Sequence, residues 1–273
     1  MFEADLHTHT VASGHAYGTI TENAKAAREQ GLLFIATTDH GPANGGPEPY
    51  YFINMRVVPR EIHGVRILRS VEGNIMDGSG SLDLEPEILG GLDLVVAGFH
   101  LTDRLPALSG RDLVDWCTET LCATIANPFV DIIAHPGNPV FPVDAERVVR
   151  AAVTHGKALE VNNNSFTARP GSWKACGELA RLYAKHGALV SIASDAHFPS
   201  LVGDVGEAAG MCRDAGIVAS QVVNLSASSL ARFLDARAKR LSAPVVSLKI
   251  ASPKRCKTPS FSRNRGDVAA ERV

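Results

Sequence analysis

The sequence predicts an α/β protein, a distorted seven-stranded (β/α)7 TIM-like barrel with its site at the strand C-termini, and three observations lead there. Short apolar or β-branched runs alternate with amphipathic stretches, an order that pairs strands in parallel and leaves the helices outside. Seven such runs occur, enough to close or nearly close a barrel, with a doubly wound sheet as the alternative. The 273 residues, 45% of them hydrophobic and 21% charged, suit one large core.

The strand candidates, in order, are residues 2–6, 33–37, 66–71, 93–98, 131–134, 158–161 and 189–193. Between them, Thr21 is read as the cap of a helix through Ala24, Ala27 and Arg28 that Gly31 stops. Further helices are expected over 111–126, 144–155, 172–185, 203–215 and 226–238. Residues 1–240 make the barrel. From Leu241 the composition turns to Ser, Pro, Lys and Arg. Seven basic side chains there, against Asp267 and Glu271, give +5 and leave −7 for residues 1–240. Such a tail, 241–273, has too little apolar surface to offset its ordering entropy and reads as disordered.

Several function classes drop out. A net charge of −2 argues against a surface built for nucleic acid. No apolar run approaches the ~20 residues of a membrane span, and the N-terminus lacks a secretory pattern. Five scattered cysteines (Cys117, Cys122, Cys176, Cys212, Cys256) without a Cys-x-x-Cys pair read as reduced thiols, hence a cytoplasmic protein without a thiolate metal site.

The histidines are distributed differently. Each strand runs at once into polar residues: Asp5-Leu6-His7-Thr8-His9 with His15 soon after, Thr38-Asp39-His40, Glu72-Gly73-Asn74, Gly98-Phe99-His100, His135-Pro136-Gly137, Asn162-Asn163-Asn164 and Ser194-Asp195-Ala196-His197. In a parallel barrel all strand C-termini share one face, so seven of the ten histidines and at least two carboxylates gather on one rim. Imidazole and carboxylate without thiolate suit zinc, iron or manganese. His7 and His9, two apart on extended chain, face one side, as do Asp195 and His197. His63, His155 and His186 sit beside glycines and read as structural, the last two at helix ends. Asp39 is expected to orient His40 from behind, and Asp5 is read either as a similar orienter or as part of the barrel's bottom layer.

These motifs, read in order with His135-Pro136-Gly137-Asn138-Pro139, resemble the PHP (polymerase and histidinol phosphatase) family over about residues 1–238. Phe52-Ile53-Asn54-Met55-Arg56 and Leu159-Glu160-Val161-Asn162-Asn163 are similar to its YcdX-like probable phosphatase branch. The resemblance implies three zinc ions, with Mn2+ or Fe2+ as substitutes. His7, His9, Glu72 and Asp195 would hold one, Glu72 would bridge to a second on His100 and His135, and His15, His40 and His197 would hold the third. Leu101-Thr102 departs from the acidic residue and proline usual in the branch, which bears on substrate choice.

The chemistry expected is hydrolysis of a small-molecule phosphomonoester. Two divalent ions ~3.5–4 Å apart can share a water and lower its pKa towards neutrality. Glu72 and Asp195 would be the catalytic carboxylates, Arg169 a phosphate clamp with Asn162 or Asn163 beside it. The partner is a small phosphorylated substrate, with neither membrane nor nucleic acid, and a homo-oligomer, a trimer, by resemblance alone. Competing readings are a phosphodiesterase or exonuclease-type hydrolase of the same family, a non-catalytic metal-stabilised binding module, and hydrolysis of an amide or lactone.

Overall fold

The computed structural model describes residues 2–102 and 106–242. Met1–Ser242 forms one compact unit. The tail expected from Leu241 lies outside the described residues except for Leu241 and Ser242, which belong to the last helix, and Asp103–Leu105 of the loop after His100 lies outside them too.

The strands are β1 (Ala4–Thr8), β2 (Phe34–Thr37), β3 (Glu61–Ile62), β4 (Val65–Asn74), β5 (Leu94–Gly98), β6 (Ile132–Ile133), β7 (Ala158–Asn162) and β8 (Leu189–Ala193). Seven of them pair in parallel in the order β1-β2-β4-β5-β6-β7-β8. A Thr8–Ala196 bridge brings the two edges together, so the sheet is a nearly closed barrel. The helices are α1 (Ile20–Glu29), α2 (Pro49–Asn54), α3 (Pro86–Gly91), α4 (Gly110–Ala126), α5 (Ala145–His155), α6 (Ser165–Ala168), α7 (Ser172–His186), α8 (Gly206–Asp214) and α9 (Ala227–Ser242).

Three local results differ from the sequence reading. Helix α1 is capped by Thr19, not Thr21: the Glu22 amide donates to the Thr19 hydroxyl at 3.2 Å and the Thr19 amide to the Glu22 carboxylate at 2.8 Å. This reciprocal box satisfies two amides, which Thr21 inside the helix cannot do. Strand β4 outruns its expected end because it pairs with β2 through Phe34–Arg66 to Thr37–Arg69 and then with β5 through Ser70–Leu94 to Asn74–Gly98, placing Glu72 inside the ladder. The added β3 forms a hairpin with β4 through His63 and Gly64, both at positive φ (54° and 76°), the twist a two-residue turn needs. His155 and His186 end α5 and α7 before left-handed glycines, as expected, and His186 also meets Glu146 at 2.9 Å.

The barrel interior is apolar at its base. Ala4, Leu6, Ala36, Leu68, Leu94, Val96, Ile132, Ala134 and Ala158 pack in one cluster with Leu230 and Phe233 of α9, which closes that end. A second, larger cluster lies between the sheet and its helices. Strand alternation continues the interior column upward from Leu68 to Ser70 and Glu72, and from Ala158 to Glu160 and Asn162. In β1 the register with β2 slips between Asp5 and Thr8, where three steps oppose the two from Ile35 to Thr37. This bulge changes the phase of β1, so Leu6 faces the apolar base and His7 and His9 face the same interior above it.

Candidate metal centre

The upper end of that interior holds Glu72, buried on β4 and surrounded by imidazoles. Its Oε1 lies 2.9 Å from His135 Nε2 and 3.3 Å from His100 Nε2; its Oε2 lies 2.9 Å from His40 Nδ1, 3.3 Å from His7 Nε2 and 3.6 Å from His9 Nε2. Asp195, after β8, places Oδ1 3.1 Å from His9 Nε2 and 3.6 Å from His7 Nε2. His15 and His197 stand at the mouth with ring centroids 4.9 Å apart, and His15 stacks on His40 at 5.0 Å. The seven rim histidines, Glu72 and Asp195 thus converge on one space. Three triads bring their potential ligand atoms within 4.8 Å of one another: His7, His9 and Asp195; His40, Glu72 and His100; and His9, His40 and His197.

Space and backbone are shaped to this packing. A Cβ added to Gly98 would meet His135 Cε1 at 2.9 Å and Glu72 Oε1 at 3.1 Å, so only glycine lets these two approach. His135 and Asp195 hold positive φ values of 32° and 55°, unfavourable for residues with a Cβ by roughly 1–3 kcal/mol each. The strain sits on two of the converging side chains.

Whether a metal ion fits here is tested by the polar atoms left without partners. Among the described residues, Nε2 of His7, His9 and His100, Nδ1 of His40 and Oε2 of Glu72 are buried without a hydrogen bond. Each such atom costs about 1–3 kcal/mol unless something answers it. All five point into the same space, and lone pairs of imidazole and carboxylate are the donor set of zinc and of first-row divalent ions. The residues fit.

The far sides of the rings decide which nitrogen carries the lone pair. His7 Nδ1 meets Glu160 Oε1 at 2.7 Å, and Glu160 Oε2 accepts the His135 backbone amide at 2.7 Å. The Ser13 hydroxyl donates to Asp39 Oδ1 at 2.7 Å and therefore accepts from His9 Nδ1 at 3.0 Å. His197 Nδ1 donates to the Asp195 carbonyl at 2.9 Å. In all three, the neutral ring leaves Nε2 as the acceptor facing the cluster. Asp39 was expected to orient the His40 ring, and this is corrected. Its carboxylate accepts from Ser13, from the Thr10 amide at 2.7 Å and from the Tyr51 hydroxyl at 2.9 Å. Neighbouring extended residues point opposite ways, so Asp39 faces the His9–Ser13 loop while His40 faces Glu72. Asp5 joins neither alternative: it accepts from the Ser194 and Gly203 amides, at 3.2 and 2.9 Å, and ties β1 to the chain after β8.

Arg169, at the end of α6, donates through both terminal nitrogens to Asp195 Oδ2 at 3.2 Å and to Ser165 Oγ at 3.0 Å, while remaining partly exposed. Asn162 is fully buried, with its amide on Glu160 and Asp195 and its carbonyl on the Ser165 amide, so no group is left to bind a phosphate. Asn163 gives its carbonyl to the Ala208 amide. Sequence reasoning missed Glu160 and Ser13 as ring partners. The one signal for Glu160 is a carboxylate inside the apolar run 158–161, at strand alternation from Asn162.

Charge follows from this geometry. Burial alone would raise the Glu72 carboxyl, but His100, His7 and His40 hold it well below the usual carboxylate range. Burial is likewise outweighed at Asp195, by His7, His9 and Arg169. Burial would lower His7, yet Glu160, Glu72 and Asp195 draw it well above ordinary imidazole. Burial takes His9 down to about 3, and burial with Arg169 takes His135 down to about 4, so both rings stay neutral and able to ligate.

The comparisons with known proteins agree with this geometry. The family model described as PHP domain matches residues 5–164. A probable phosphatase of Caldanaerobacter subterraneus subsp. tengcongensis is 45% identical over 239 residues, 87% of this chain and 92% of the relative. Another, of Acetivibrio thermocellus, is 43% identical over 241 residues, 88% of this chain and 98% of the relative. The chain belongs to the PHP domain family. Its fold is also that of histidinol phosphate phosphatase from Lactococcus lactis subsp. lactis, whose crystal structure holds zinc, L-histidinol and phosphate. The TM-score is 0.57 at 17% identity, over 79% of this chain and 94% of that one.

Proposed function

We propose that the protein is a metal-dependent phosphatase that hydrolyses the phosphomonoester of a small molecule. The observation that carries this reading is Glu72, a buried carboxylate reached by five imidazoles, four of whose inward nitrogens have no hydrogen bond. The relatives' names and the zinc and phosphate bound by the lactococcal enzyme support it. Zinc suits the donor set, and the centre takes three ions. His7, His9, Glu72 and Asp195 hold one, Glu72 with His100 and His135 a second, and His15, His40 and His197 the third. When bound, the ions supply Lewis acidity, which activates water and neutralises phosphate oxygens.

The chain's own residues do the rest. Glu160, Ser13 and Asp39 hold His7 and His9 in the tautomer that ligates. Arg169, fixed along one edge of Asp195, keeps further N–H groups to receive a phosphate oxygen as it enters. The exposed side of His15 and the partly exposed His197 mark the mouth through which it comes. Metal analysis beside phosphomonoester turnover tests this. Close to three ions per chain are expected, with activity lost on chelation. His100→Ala is expected to cut the rate by orders of magnitude, whereas His155→Ala, at the end of α5, leaves it nearly unchanged. One ion or fewer in active protein, or equal losses in both variants, overturns the reading.

A further inference from the structure

Between the loops that follow β7 and β8 lies a pocket of about 150 Å3, lined by Asn163, Asn164, Thr167, Leu201 and Asp204 with Asp195 as its inner wall. It adjoins the metal centre through Asp195, whose carboxylate lies 3.1 Å from His9. Its volume is about half the lower end for a whole ligand site, ~300 Å3, so it can take only part of a molecule whose remainder sits elsewhere. Its polar groups are of both kinds. Asn163 has given its carbonyl to the Ala208 amide and keeps its NH2 to donate. Thr167 donates and accepts, the Asn164 amide reaches Asp195 at 3.5 Å with one N–H and keeps the other and its side-chain carbonyl, and the exposed Asp204 only accepts. Leu201, 44% exposed, adds an apolar wall for a carbon skeleton.

This set discriminates among leaving groups. A hydroxyl donates and accepts, so a chain of hydroxyls can answer the amides, the Thr167 hydroxyl and the carboxylate together. An ammonium group would meet the carboxylates but, only donating, would leave the amide donors unanswered. A second phosphate would face Asp195 and Asp204 with no lysine or arginine among the lining residues. We propose that this pocket receives the alcohol portion of the substrate and selects a polyhydroxylated one, a sugar or polyol phosphate. The proposal rests on the phosphatase reading above.

The test is calorimetric binding of two non-hydrolysable phosphonates, the analogues of ribitol phosphate and of methyl phosphate, to the metal-loaded protein. The polyol analogue is expected to bind at least about tenfold more tightly, equivalent to ~1.4 kcal/mol. Asp204→Ala and Thr167→Val, both at exposed positions, are each expected to draw that ratio towards one. Equal affinities in the unaltered protein, no measurable binding of the polyol analogue, or a ratio unmoved in both variants overturns the proposal. Binding is read without turnover, so failure to hydrolyse the two parent esters would count against the phosphatase reading alone.

Discussion

A buried carboxylate that accepts from a histidine ring and a backbone amide at once fixes both partners, and Glu160 does this for His7 and His135. Outer partners of this kind are worth ~10–100-fold in metal affinity. Glu160→Gln is therefore expected to weaken metal binding by about that factor, read by competition with a chromophoric chelator; an unchanged affinity would leave Glu160 a purely structural residue. The same charges make loading pH-dependent. His7 stands well above ordinary imidazole and so keeps its proton at neutral pH, while an ion requires the neutral ring. Metal binding is expected to expel that proton below the raised value and to expel none above it. Titrations at pH 7 in two buffers of unlike ionisation enthalpy should differ in heat. Identical heats would show that no net proton leaves on loading, against a His7 raised above neutrality.

At the scale of elements, α9 is tied to the barrel base by polar contacts of Arg237 beside the apolar packing of Leu230 and Phe233. Arg237 is buried and donates to the carbonyls of Leu89, Leu92 and Phe129 and to Asp131, which Arg240 also reaches. Asp131 is buried, and burial raises its carboxyl even against both guanidinium groups. Arg237→Met would take a donor from three carbonyls and one of two guanidinium partners from buried Asp131, a cost of about 3 kcal/mol, the low end for breaking a buried pair because Arg240 remains. For a barrel of this size that is a fall of roughly 10 °C in melting temperature. A change under about 2 °C would show that Arg240 alone suffices. The element scale is also where the sequence was most and least readable. All seven parallel strands were legible, since each is an apolar run ending in chemistry-bearing residues. The short helices α2, α3 and α6 and the hairpin strand β3 were not, because four to six residues carry no helical period and two residues no alternation. The β1 bulge was invisible for another reason: it exists only as a register between strands. Glu160 and Ser13 escaped as ring partners because their roles are set by residues far along the chain or across a loop.

For the whole molecule, the barrel as residues 1–240 and the tail beyond it stand as a proposal, since α9 ends at Ser242 and the basic residues follow it. No candidate ligand falls after His197. Truncation after Ser242 is expected to leave melting temperature and phosphatase rate almost untouched. A large drop in either would show that the basic segment contributes to the barrel or its activity. No helix among the described residues is long and apolar enough to cross a membrane.

The seam between β1 and β8 gives the centre a history as well as a shape. Asp5 and Ser194 meet across it although 189 positions separate them in the chain. Closing a loop of that length costs about 4–5 kcal/mol in lost freedom. On a ribosome, His7 and His9 emerge first and remain without Asp195 until nearly the whole barrel has been made. A chain halted before β8 would carry the two imidazoles without that carboxylate, so the order of translation withholds a finished centre from any incomplete product.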